Sequence, residues 1–162
     1  MSEMLLERTL EISTFTAAHT TLDVVTVDDI EFVDITDRIR ELVRSSRIRC
    51  GFVSIQTRHT TTGIVINENE PLLISDMKCL LERLIPASAG YQHDNFTIRT
   101  VNLTPGERSN GHSHCRSLFI PSSENINVDE GELQLGRWQR IFLVELDGPR
   151  ERLISVSLLG NR

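Results

Sequence analysis

The sequence predicts an α+β fold: β-sandwich-like, with mixed or antiparallel sheets and two or three flanking helices. Three observations predict it. Short apolar runs of period two recur along the chain and dominate its last third, whereas two segments carry apolar residues at helical spacing. In addition, no Gly-rich loop links a strand to a helix, so a doubly wound nucleotide-binding sheet is not expected. The 162 residues fit one domain spanning 1–162, without internal repeats.

The elements follow in order. Leu6, Leu10 and Ile12 alternate with Glu7, Thr9, Glu11 and Ser13, predicting a strand with one wet face. Ala17-Ala18-His19-Thr20 reads as an early loop with His19 on the surface. Ile35, Ile39, Leu42 and Val43 recur at helical spacing behind Asp34 as N-cap, with Asp37 in the first turn. Cys50 to Thr57 is a strand with both faces at least partly covered, and Ile64-Val65-Ile66 is a second, short buried one. Pro71 opens a helix whose Leu73, Met77, Leu80, Leu81 and Leu84 form an apolar core stripe, and Pro86 stops it. Between Ser88 and Gly111 the pattern weakens to a polar stretch, with one strand expected at Phe96 to Val101 and a turn at Pro105-Gly106. Ile126 to Leu133 predicts a hairpin turning at Asp129-Glu130-Gly131, and Arg140 to Leu146 and Leu153 to Leu159 are strongly apolar strands.

Charge and composition narrow the function classes. Seventeen Lys+Arg against 23 Asp+Glu leave a net charge of −6, which lacks the electrostatic footprint of a general nucleic-acid binder. Every basic residue except Lys78 is arginine, the side chain suited to bidentate capture of carboxylate or phosphate. The longest purely apolar run, Ile141-Phe142-Leu143-Val144, is far too short to span a bilayer, so no membrane association is expected. Met1-Ser2-Glu3-Met4 does not read as a secretory signal, which makes the cytoplasm the expected location. Cys50, Cys79 and Cys115 are widely spaced, without a Cys-x-x-Cys pair, and are expected to be reduced and mostly buried.

Four histidines, His59, His93, His112 and His114, lie in polar segments that interrupt the core pattern, where side chains serve metal or acid-base chemistry. His112-Ser113-His114 puts both imidazoles on one side if the segment is extended and splays them apart if it is helical. With a third ligand from His59, His93 or Asp94, the extended form would make an open metal site with room for water or substrate. Glu68, Glu70 and Asp94 supply carboxylates for acid-base work, although Asn69 or Glu70 also suits the cap of the helix opening at Pro71. Arg116 is a candidate for a phosphate oxygen or a surface ion pair, and Trp138-Gln139 for a core anchor or for stacking and hydrogen-bonding a ring. Cys115 borders His114, but sequence neighbours point apart in regular structure, so no thiolate nucleophile is expected.

Read together, His59-Thr60-Thr61-Thr62-Gly63, Asn67-Glu68-Asn69-Glu70-Pro71, Tyr91-Gln92-His93-Asp94, Asn110-Gly111-His112-Ser113-His114 and Leu135-Gly136-Arg137-Trp138-Gln139 resemble the YjbQ-like family, also called the secondary thiamine-phosphate synthase family. The resemblance runs from about the first strand to Leu159. It implies a homotrimer with sites near subunit boundaries, built from the histidine-bearing segments. By motif, His59, His93 and His114 are the expected ligands of a divalent metal, zinc or magnesium, the pattern being firmer at His114 than at His112. Glu70, Asp94 and Gln139 form the expected catalytic set, and Thr60, Asn69, Arg116 and Trp138 the substrate-binding set.

The activity the resemblance implies is a transfer: a pyrimidine diphosphate joins a thiazole phosphate, giving thiamine phosphate and pyrophosphate, as a side activity of a protein acting on small phosphorylated metabolites. Such chemistry needs a divalent metal and basic groups on the departing diphosphate, yet the chain has one lysine and no phosphate-cradling glycine loop. Two alternatives stand beside it. One is metal-assisted hydrolysis or lyase chemistry on a small anionic metabolite with Glu70 or Asp94 as base, and the other is a non-enzymatic trimer that binds a small ligand or metal.

Overall fold

A computed structural model describes residues 15–162. The strand expected at Leu6 to Ile12 lies outside the described residues. Eight strands and three α-helices follow in the order β1 (Thr16–Val25), β2 (Glu31–Asp34), α1 (Thr36–Ser46), β3 (Cys50–Thr57), β4 (Thr62–Glu68), α2 (Pro71–Leu84), α3 (Gly111–Ser117), β5 (Ser123–Asp129), β6 (Glu132–Leu133), β7 (Gln139–Glu145) and β8 (Glu151–Asn161). They form a five-stranded sheet ordered β1-β8-β3-β5-β6 and a three-stranded sheet ordered β2-β7-β4. Every strand pairing among the described residues is antiparallel, as the α+β reading allowed.

The three-stranded sheet is buried on both sides, which explains the unbroken apolar run at 141–144. Ile141 and Leu143 of β7, with Ile64 of β4, face a core completed by Val53 and Ile55 of β3, Ile154 and Val156 of β8, and Ile39 and Val43 of α1. The alternate residues Phe142 and Val144 face the other way, onto Ile74 and Leu81 of α2. Each fully buried aliphatic side chain of this kind contributes about 1.5–3 kcal/mol. In the five-stranded sheet Val53 and Ile55 of β3 point inward, while on its other face Ser54 is half-buried and Phe52 and Gln56 are more exposed, so both faces are partly covered as expected, one far more than the other.

Local chemistry sets the boundaries. Asp34 is not the N-cap of α1 that its residue type led us to expect: Ile35 takes that place without a side-chain cap bond, and Asp34, one residue further out, accepts the Thr36 N–H on Oδ1 at 2.9 Å. In the β5-β6 hairpin, Glu130 and Gly131 take φ of 52° and 82°, the pair of left-handed residues that a two-residue turn between twisted strands requires.

Four further expectations are corrected. Residues 96–101 form turns, not a strand, because local bonds outcompete pairing. The Asn95 side chain accepts from the Thr97 N–H and Oγ, and the Arg99 guanidinium gathers the carbonyls of His93, Val101 and Asn102. In α2 no residue is fully buried: Ile74 and Leu81 pack half-buried onto the sheet, and Leu80 and Leu84 are exposed rather than in the core. His19 belongs to β1 instead of a loop, although it is exposed as expected. Finally, Cys50 and Cys79 are exposed and Cys115 is half-buried; all three are free thiols.

Candidate functional site

The site grows from one end of the three-stranded sheet, where Thr62 of β4 lies opposite Glu145 of β7. Glu145 is fully buried, an expensive place for a carboxylate unless it is paired. Arg152, at the start of β8 and 4% exposed, pairs with it through Nε at 2.6 Å and through Nη2, and also reaches Thr61 Oγ1 at 3.1 Å. Thr26 Oγ1 and the backbone amides of Leu146 and Asp147 supply three further donors. Burial, the largest single influence, pushes the Glu145 carboxyl up, but the Arg152 hydrogen bonds and charge, the Asp147 amide and the Thr26 hydroxyl together outweigh it and hold the group below its ordinary range. Nη1 of Arg152 is used in none of these bonds.

Beyond Arg152 opens a cleft of about 320 Å³, in the size range of a small-ligand site. Three guanidiniums line it, from Arg58, Arg150 and Arg152, against two carboxylates, Glu107 and Asp147, with Asn110, Thr60, Thr61, His59 and His114 completing the wall. With neutral imidazoles the balance is therefore positive, in a chain whose net charge is −6. Asp147 is committed to structure: its carboxylate accepts from Asn110 Nδ2 and pairs with Arg150 at 2.8 Å.

His59 follows β3 and accepts the Leu153 N–H on Nε2 at 2.8 Å, which leaves the ring proton on Nδ1. Burial and then the nearby Arg152 charge lower its pKa. His114 reaches the cleft from α3, which settles the His112-Ser113-His114 geometry as helical, so the two imidazoles splay. His114 packs against His93 with ring centroids 4.6 Å apart, and His112 against Tyr91 at 6.1 Å. Burial lowers the pKa of both, helped by His93 at His114 and by Arg116 at His112. Asp94 positions this helix by accepting the N–H groups of Asn110 and Gly111, both at 2.9 Å. Gly111 has no room for a side chain, since a Cβ would lie 2.5 Å from that of Tyr91.

The three histidines expected to hold a metal share one region but not one coordination point. The His59 Nε2 lone pair is taken by the Leu153 amide, and His93 and His114 lie as tilted neighbouring rings. His93 Nε2 is buried without a hydrogen bond among the described residues, 3.8 Å from Glu107 Oε1. Among the described residues, no three His, Cys, Asp or Glu side chains are placed to hold a metal ion.

The remaining expected site residues fall elsewhere. Glu68 pairs with Gln139 at the opposite end of the same sheet, about 20 Å from Thr62 at the rise of a strand. There Glu70 caps α2, accepting the Leu72 and Leu73 N–H groups at 2.9 and 2.7 Å, and Asn69 donates to Asp34 Oδ2. Gln139 Oε1 closes a turn on the Gly136 N–H at 2.7 Å, and Trp138 is 61% exposed beneath the Arg137 guanidinium. Arg116 takes the ion-pair alternative, though inside the fold: it is buried, donates to the Ile85 carbonyl and pairs with Glu82 at 2.8 Å.

The model of the family described as UPF0047 protein YjbQ-like matches residues 20–161. The chain belongs to this family. It is 39% identical over 131 residues to a UPF0047 protein of Methanothermobacter thermautotrophicus, covering 81% of this chain and 84% of that protein. A UPF0047 protein of Archaeoglobus fulgidus is 38% identical over 138 residues, covering 85% and 98%. The fold is similar to the crystal structure of a YbjQ-like protein from Sulfolobus solfataricus, with a TM-score of 0.81 at 35% identity, covering 91% of this chain and all of that one.

For this YjbQ-like chain, spacing missed Glu145, Asp147, Arg150 and Arg152. The signal was present in the sequence: Glu145-Leu-Asp-Gly-Pro-Arg-Glu-Arg152 sets five charges of both signs between two apolar strands, with Glu145 and Arg152 inside strand ends. Arg58 adjoins the His59 motif, and Asn110 opens the motif that carries His112 and His114. Among the described residues, no helix is long and apolar enough to cross a membrane.

Proposed function

We propose that this YjbQ-like protein acts on a small phosphorylated metabolite whose phosphate lies among Arg58, Arg150 and Arg152. The supporting observation is the convergence of those three guanidiniums on a cleft that also holds two imidazoles with lowered pKa. Guanidinium groups neutralise and orient phosphate oxygens. Neutral His114 stands as a proton acceptor, and His59, protonated on Nδ1, as a donor.

Within that reading, the specific reaction is the transferase one: a thiazole phosphate displaces pyrophosphate from a pyrimidine diphosphate, and the arginines offset the charge of the departing group. Subunits assemble as a homotrimer in this reading, which brings the exposed Trp138 end of one copy within reach of another. The arginine cleft favours this over the carboxylate-based hydrolase, because Glu70 and Asp94 are both occupied as helix caps.

The test is calorimetric titration of pyrophosphate, in magnesium buffer, into wild type, Arg58→Ala and Arg150→Ala, followed by assay for thiamine phosphate from the two phosphorylated precursors. Saturable binding weakened about tenfold or more by either substitution, the loss expected for a charged hydrogen bond, supports the anion site. Absence of saturable binding in wild type overturns it. Elemental analysis of dialysed wild type beside His114→Ala tests separately for resident zinc.

A further inference from the structure

The cleft continues into a second cavity that the reading above leaves without a role. This lobe, of about 500 Å³, is lined by Thr62, Cys115, Leu118, Ile120 and Ser122, and it shares His59, Thr60 and His114 with the arginine cleft. The two lobes differ in chemistry. One side of the shared wall carries three guanidiniums and two carboxylates; the other carries no ionised group and presents aliphatic carbon and a thiol.

From this juxtaposition we infer an aryl subsite: the second lobe binds the flat, uncharged ring of the same molecule whose phosphate sits among the arginines. The inference rests on the phosphate reading and deepens it. Shared walls place the two groups on one ligand, since a molecule that fills the polar lobe and extends past His59 and His114 enters the second lobe directly. A sugar-like body would leave its hydroxyls unpartnered against Leu118, Ile120 and Cys115, a desolvation cost that a ring of carbon and aromatic nitrogen avoids. Ser117 does not compensate, because its hydroxyl is already engaged with the Thr60 and His114 carbonyls at 2.8 Å.

The probes are methyl phosphate and phenyl phosphate, which carry the same anion and differ only in the apolar body. Wild type is expected to bind phenyl phosphate about tenfold more tightly, a gain that burying one ring supports after ordering costs. Leu118→Asn, at a position 82% exposed and therefore tolerant of substitution, should remove that preference without adding charge beside the phosphate, leaving methyl phosphate affinity within about twofold. Ser122→Phe, also exposed, should do the same by filling the lobe. Equal affinity of wild type for the two probes overturns the subsite but leaves the phosphate reading standing. Failure of wild type to bind either probe overturns both. If Leu118→Asn changes the oligomeric mass while Ser122→Phe retains the aryl preference, the apolar lobe belongs to a contact between copies, and the subsite is overturned.

Discussion

The two ends of the three-stranded sheet carry similar residues and use them in opposite ways. At the Thr62/Glu145 end, polar side chains are gathered into a buried network whose outer members, Arg152, Arg150, His59 and His114, line a cleft. At the Glu68/Gln139 end, Glu70, Asn69 and Gln139 are consumed by a cap, a side-chain bond and a turn, and the nearby Trp138 is exposed. What distinguishes them is burial of charge. A carboxylate at 0% exposure is kept only with strong partners, and those partners then stand rigidly beside open space.

The largest effect should therefore come from breaking the buried pair. Arg152→Met leaves Glu145 charged, buried and short of its main partner, and about 3–5 kcal/mol of stability should be lost. Urea unfolding measures this, and the double variant Glu145→Leu/Arg152→Met should recover much of it because no orphan charge remains. A single variant as stable as wild type would show that the pair is not what anchors this end.

The contrasting end should respond several-fold less. Glu70→Ala removes the acceptor for two amides at the start of α2, worth about 1 kcal/mol. Phosphate affinity in the arginine cleft should stay within about twofold, the range of a substitution remote from the site. A large loss of binding with intact stability would instead restore Glu70 to the chemistry.

The histidines add a pH dependence confined to the cleft end. His59, His112 and His114 all have folded pKa values lowered from 6.5, chiefly by burial. A depressed histidine pKa means that the unfolded chain binds the proton more readily, so this contribution to stability is full above about pH 6.5 and is lost as the pH falls through the lower folded values. Thermal unfolding should move to lower temperature on acidification from about pH 7.5 to about pH 5.5, the span across which histidine charges. His114→Gln should flatten part of that slope. An unchanged slope would mean that His114 titrates as an exposed residue.

How much of this was legible in the sequence follows the same division. Period-two and helical spacing located α1, α2, β3, β4 and the last four strands because burial dictates those patterns, and the turn at Glu130-Gly131 was written in its residue types. The 96–101 segment misled because Phe96, Ile98 and Val101 alternate like a strand, while Asn95 and Arg99 bind the backbone locally in a way that spacing does not reveal. In the candidate site, His59 and His114 stood out as polar interruptions. Arg152 did not, because it alternates with Leu153 and Ile154 at a strand start and becomes informative only when the fold sets it against Glu145, seven residues away.

The smallest predicted effect is the one that most sharpens the contrast between the ends. Within one copy, Trp138 lies at the far end of a strand about 20 Å long from the arginine cleft, so it cannot touch a phosphate held there. Trp138→Ala should leave methyl phosphate affinity within about twofold, and the exposed position predicts a stability change of at most about 0.5 kcal/mol. Phenyl phosphate affinity is the informative readout. If it also holds, the aryl lobe beside Leu118 suffices and the two ends act independently. If it falls about tenfold, comparable to a cleft substitution, then Trp138 reaches the ring from another copy, and the assembly joins the two ends that the single chain keeps apart. Titrating phenyl phosphate into a mixture of Trp138→Ala and Arg152→Met subunits would then restore binding at mixed boundaries, which independent ends could not do.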